Sequence, residues 1–168
     1  MRKALLLAAT AMAGAVVFTC SCSTSFTQYV NPMIGSGGHG HVFVGASVPF
    51  GMVQAGPVQY NTGWDWCSGY HHSDSTIIGF AQLHLSGTGI GDLGDISLMP
   101  VAGEVETTRK GLVSKFSHDR ETVRPGYYSV VLDGSGILAE MTSTPRVAFH
   151  RYTYPDSAPR KGVVIDLE

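Results

Sequence analysis
The stretch GYYSVVLDGSGILAEMTST, residues 126–144, is the strongest constraint on what this chain can fold into. Tyr128, Val130 and Leu132 recur at every second position; beyond the turn cluster DGSG (133–136), so do Ile137, Ala139 and Met141. A period of two puts such side chains on one face of an extended strand. Two runs of this kind joined by a short Gly-containing turn predict an antiparallel pair. RVAFHRYTY (146–154) alternates again, as does the terminal KGVVIDLE (161–168). TIIGFAQLHL (76–85) and DISLMPV (95–101), which stops at Pro100, add further strand signals. Beyond the N-terminal segment no stretch keeps a helical apolar period over about ten residues. Many short strands with Gly- and Pro-rich connections predict an all-β chain, an antiparallel β-sandwich. TTRKGLVSKFSHDRETVRPG (107–126), the most polar stretch, is expected to be a long exposed connection.

The N-terminus reads differently. Arg2 and Lys3 precede an apolar run from Ala4 to Phe18. That run is too short for a spanning helix, which needs about 20 apolar residues. A basic start and small-residue interior fit a secretory signal, residues 1–22, to be set apart from the fold. Cys20 and Cys22 stand where a lipoprotein signal places its lipid-bearing cysteine, so lipidation at Cys20 or Cys22 is expected; the alternative is a cleaved signal with incidental cysteines. The expectation is an exported chain, anchored to a bacterial membrane by lipid. Removing the signal leaves Cys67 as the one mature thiol, which excludes a disulfide framework. Losing Arg2 and Lys3 while all 13 acids remain takes the formal charge of −2 to −4. No basic stripe remains, and nucleic acid is excluded as a partner. Residues 23–168 form the candidate domain, and KGVVIDLE ends it inside a strand signal, so the sandwich is expected to be incomplete.

Chemistry-bearing residues concentrate in two places. VNPMIGSGGHGHVFVGASVPFGMVQAGP (30–57) is dense in glycine, which suits a coil lying close against something. GWDWCSGYHHSD (63–74) crowds two indoles, two imidazoles and two carboxylates together. An indole offers a flat face to the C–H patch of a pyranose and an N–H for hydrogen bonding. Trp64 and Trp66 therefore suggest a sugar cleft, with Asp65, His71, His72 and Asp74 available for hydroxyls. Their i, i+2 spacing in an extended segment would put both rings on one side, which a core would also require. His39 and His41 suggest a metal pair, with His71 or His84 as third ligand, or hydrogen bonding to substrate or neighbouring loops; zinc would need three or four converging ligands. HLSGTGIGDLGDI (84–96) lacks the Lys-Ser/Thr ending of a phosphate loop and fails the calcium-loop pattern at Asp92 and Asp95. A tight Gly-rich turn fits it better. Neither Ser68 nor Cys67 sits in a recognisable nucleophile context.

Read in order, YVNPMIGSGGHGHVFVGASVPFGMVQ, GWDWCSGYHHSDSTIIGF, HLSGTGIGDLGDI, SHDRETVRPGYYSVVLD and RVAFHRYTYP resemble the N-terminal domain of glycoside hydrolase family 92, bacterial exo-acting α-mannosidases. The resemblance implies a two-domain enzyme, a β-sandwich packed on a helical (α/α)₆ catalytic domain, acting on mannose-containing glycans with inversion. It implies calcium in the complete enzyme, with its ligands, and the acid and base carboxylates of an inverting mechanism, in the catalytic domain rather than in this chain. No catalytic residue is expected here. Substrate contacts are expected from Trp64, Asp65, Trp66, His71, His39 and His41. Two other functions compete: an autonomous carbohydrate-binding β-sandwich lipoprotein, and a structural surface lipoprotein whose rings are core.

Overall fold
The computed structural model describes residues 25–167 apart from 92, 105–107 and 109. The expected signal, with Cys20 and Cys22, lies outside the described residues. Two antiparallel sheets face each other. One has the order β1 (Gly56–Val58), β3 (Gly79–Ala81), β4 (Ser97–Ala102), β9 (Lys161–Asp166). The other has the order β2 (Thr76–Ile77), β5 (Ser114–Arg124), β6 (Tyr127–Leu132), β7 (Leu138–Ser143), β8 (Ala148–Thr153). The all-β sandwich read from alternation is the observed fold.

The period-two faces explain the core. Tyr128, Val130 and Leu132 of β6 and Ile137, Ala139 and Met141 beside them are buried, as their spacing predicts. They pack with Phe80 and Met99 from the opposite sheet, so one core serves both layers. Each large apolar side chain removed from water contributes about 1.5–3 kcal/mol. Val44, Ala46, Ala55 and Tyr70 join this core from coil. The Gly-rich coil therefore does lie close against something. At Gly40 a Cβ would run into the Gly35 carbonyl, so no larger residue fits there.

Three expectations need correction. TIIGFAQLHL is not one strand: it breaks at Ile78, and its halves β2 and β3 enter different sheets. The strand expected to stop at Pro100 runs on to Ala102. Pro100 is tolerated because β3 pairs β4 only at Leu98, leaving that edge free beyond it. The polar 107–126 stretch is not an exposed connection; most of it is β5, eleven residues long. Its pairing with β6 advances five residues from Phe116 to Glu121 while β6 advances two from Leu132 to Val130. The bulge inserts an odd number of residues and reverses the alternation, so Phe116 before it and Val123 after it both reach the core.

Stability should follow this burial. Phe80→Ala should cost about 3–5 kcal/mol, whereas Phe149→Ala on the open side of β8, 56% exposed, should cost only about 0.5 kcal/mol; urea melts of the two variants check the contrast.

Stability should also depend on pH. His150 lies between the Tyr152 hydroxyl at 2.9 Å and Gln82 Oε1 at 3.1 Å, and burial pushes its pKa down from 6.5 to about 4. Burial lowers His84 as well. The unfolded chain takes these protons near pH 6.5 and the folded domain resists them, so acid favours unfolding. Stability is therefore expected to fall as pH drops from about 6.5 towards 4, with a shallower slope in His150→Gln, as read from melts across that range.

Candidate functional site
The segment 63–74 does not run extended. Trp64–Trp66 forms a single 3₁₀ turn, closed by hydrogen bonds from the Trp66 N–H to the Gly63 carbonyl (3.0 Å) and from the Cys67 N–H to the Trp64 carbonyl (3.2 Å). With three residues per turn, positions i and i+2 point about 120° apart. The expectation that both indoles share a side is therefore overturned. They divide the work of the segment.

Trp64 turns outward and is 61% exposed. Its Nε1–H donates to the Gly89 carbonyl at 2.8 Å, and its ring meets His41 edge-on at 4.1 Å and His39 at 5.6 Å. Asp65 stands beside it: one carboxylate oxygen lies 2.7 Å from His39 Nδ1 and 3.3 Å from His41 Nε2. The His39 contact holds the Asp65 carboxyl below the usual carboxylate range. His41 is buried, has a positive φ of 53°, and its carbonyl accepts from the Gly87 N–H at 2.6 Å. Trp64, Asp65, His39 and His41 thus form one patch, and three coil stretches contribute to it.

Trp66 turns the other way. It is half-buried, stacks on His71 at 4.3 Å, and donates from Nε1 to Asp74 Oδ2 at 3.2 Å. His71 is buried, with Nδ1 2.7 Å from Ser73 Oγ and Nε2 3.3 Å from the Gly38 carbonyl. Trp66 also lines a cleft of about 340 Å³ with Tyr60, Asn61 and the free, buried Cys67; Trp64 does not. All six expected residues thus lie on one interconnected set of loops, with the 35–41 coil bridging the two rings.

Gly89 in HLSGTGIGDLGDI has no side chain to mark it in the sequence; only the fold shows that its carbonyl faces an indole. The same segment closes as a turn, with His84 and Leu93 bridged antiparallel. Asp92 lies outside the described residues. Among the described residues no three His, Cys, Asp or Glu side chains gather as a metal site. His39 and His41 instead spend a ring nitrogen each on Asp65.

The model of the glycosyl hydrolase family 92 N-terminal domain matches residues 29–168. The chain belongs to that family. Among solved structures, the family 92 α-mannosidase BT3965 from Bacteroides thetaiotaomicron, in complex with mannoimidazole, is 42% identical, with a TM-score of 0.79 over 84% of this chain and 19% of its own. The family 92 inverting mannosidase BT2199 from the same organism is 31% identical, with a TM-score of 0.73 over 86% of this chain and 20% of its own. A secreted glycosidase of Arthroderma benhamiae is 33% identical over 152 residues, 83% of this chain and 19% of its own. The family 92 chain described here therefore spans about a fifth of the length of these relatives.

The two indoles should separate in stability measurements. Trp64→Ala removes an exposed ring and one hydrogen bond and should cost about 1 kcal/mol; Trp66→Ala removes a half-buried stacked ring and should cost about 3 kcal/mol. Denaturant melts of both variants test the order.

Proposed function
We propose that this domain forms one wall of the mannose-binding cleft of an exported exo-α-mannosidase that cleaves α-mannosidic linkages of glycans with inversion. The observation that carries the reading is Trp64: an indole presented to solvent, its N–H already satisfied by Gly89, with Asp65 and His39 beside it. That is the arrangement a pyranose needs, a ring face for its C–H patch and polar groups for its rim. The identity to mannosidases such as BT3965 supports the substrate class. Trp66 and His71 stack on each other on the other side of the turn, where Trp66 lines the cleft of about 340 Å³, and are assigned a supporting role.

Catalysis is assigned to the rest of the enzyme. Inversion needs a protonated carboxyl at the leaving oxygen and a carboxylate activating water, about 6.5–9.5 Å apart. Asp65, shared between two imidazoles, is the carboxylate in the patch. Calcium takes six to eight oxygen ligands; a single carboxylate engaged by ring nitrogens does not fit it, so the calcium implied by the family is not assigned to this patch but to the catalytic domain. The 168-residue chain alone is expected to release no mannose from α-mannosides, with or without calcium, and calcium-dependent release by the purified domain would contradict this. Export with a lipid at Cys20 or Cys22 completes the reading; the secreted relative supports export. Cys20→Ser and Cys22→Ser variants, followed by labelled-palmitate incorporation, identify the acceptor.

The decisive test is Trp64→Ala in a complete enzyme carrying this domain. Losing an aromatic anchor at a binding site costs about 2 kcal/mol, so kcat/KM should fall roughly thirtyfold with little change in melting temperature. Unchanged kinetics would remove Trp64 from the cleft.

A further inference from the structure
Glu121 is a carboxylate in the core of a sandwich. Its side chain is 3% exposed, and it stands opposite Val130 on the buried side of β5. Three side chains meet it. The Tyr128 hydroxyl donates to one oxygen at 2.8 Å; the Tyr70 hydroxyl, at 3.0 Å, and His118 Nδ1, at 2.7 Å, meet the other. His118 sits in the bulged stretch of β5, and its Nε2 lies 2.7 Å from the His72 carbonyl. Its ring packs on the His72 ring at 4.2 Å and meets Phe116 edge-on at 5.1 Å.

Two of these contacts reach the same short piece of chain. Tyr70 and His72 bracket His71, the residue on which Trp66 stacks. One buried carboxylate therefore holds the site-bearing segment on both sides of His71 and ties it to the five-stranded sheet. Apolar residues of similar volume could fill this space and stabilise the core as well or better. A hydrogen-bonded carboxylate adds what apolar packing lacks, a defined direction and distance for each partner.

We propose that Glu121 and His118 are positioning residues for the sugar-contacting wall: through the Tyr70 hydroxyl and the His72 carbonyl they set where the 63–74 segment stands relative to the sheet. This rests on the reading of Trp64 and its neighbours as a mannose-binding wall. The bulge in β5 has a function in this account, since it carries His118 and turns Glu121 inward.

The test compares two phenols on one carboxylate, in a complete enzyme carrying this domain, with p-nitrophenyl α-mannoside as substrate. Tyr70→Phe and His118→Gln loosen the segment side; Tyr128→Phe removes an equivalent donor from the sheet side. All three should melt lower. Tyr70→Phe and His118→Gln should lower kcat/KM about tenfold or more, as small misplacements of positioning groups do, chiefly by raising KM, while Tyr128→Phe keeps the parent KM. If all three keep the parent KM, or all three raise it equally, the positioning role is overturned and the network only stabilises the fold. Trp64→Ala, measured alongside, separates the two levels. If it is impaired while Tyr70→Phe and His118→Gln are silent, only the positioning role fails; if it is silent as well, the wall itself is misplaced and both readings fall.

Discussion

The segment that carries the site belongs to no strand, and that constraint shapes the rest of the domain. Backbone N–H and C=O groups buried without a sheet ladder must find other partners. They find them in neighbouring coils and side chains. The His71 N–H donates to Gln59 Oε1 at 2.6 Å, the His72 N–H to the Ser36 carbonyl at 2.8 Å, and the Gln59 N–H to the Gly69 carbonyl at 2.8 Å. The Gly-rich 35–55 coil is dense in glycine because it must approach closely enough to make such bonds; at Gly45, too, a Cβ would run into the Ala55 carbonyl. The sandwich supplies the rigid floor, and Tyr70, fully buried, pins the segment to it. An exposed Trp64 at the end of so many crossed bonds is a ring held in place, which is what a binding wall requires.

How much of this was legible in the sequence follows from where the signal is local. The β6 and β7 faces could be read from Tyr128, Val130, Leu132, Ile137, Ala139 and Met141, because a period of two survives when nothing interrupts it. β5 could not. Its bulge reverses the alternation between Phe116 and Glu121, and within it the Glu121 side chain is buried and paired with a half-exposed His118 rather than solvated. Composition alone reads such a stretch as an exposed connection. Likewise, the spacing of Trp64 and Trp66 was visible, but a 3₁₀ turn gives that spacing the opposite meaning from an extended strand.

The candidate site was legible by content more than by geometry. The six residues that the family resemblance implies lie on one set of connected loops, yet they divide into an outward group and a supporting group. Asp65 carries the difference. Its position between His39 and His41 joins coils more than twenty residues apart in sequence, a pairing no local pattern announces. Gly89, whose carbonyl receives the Trp64 N–H, contributes backbone alone and leaves no side-chain trace.

The central claim is that the Trp64 face of this family 92 domain meets the sugar. The most direct measurement is a crystal structure of a complete enzyme carrying the domain, bound to mannoimidazole. The account predicts the inhibitor ring against the Trp64 indole within about 4 Å, with Asp65 or His39 within hydrogen-bonding distance of a hydroxyl. An inhibitor seated elsewhere, with the Trp64 patch open to solvent or covered by protein alone, would contradict it.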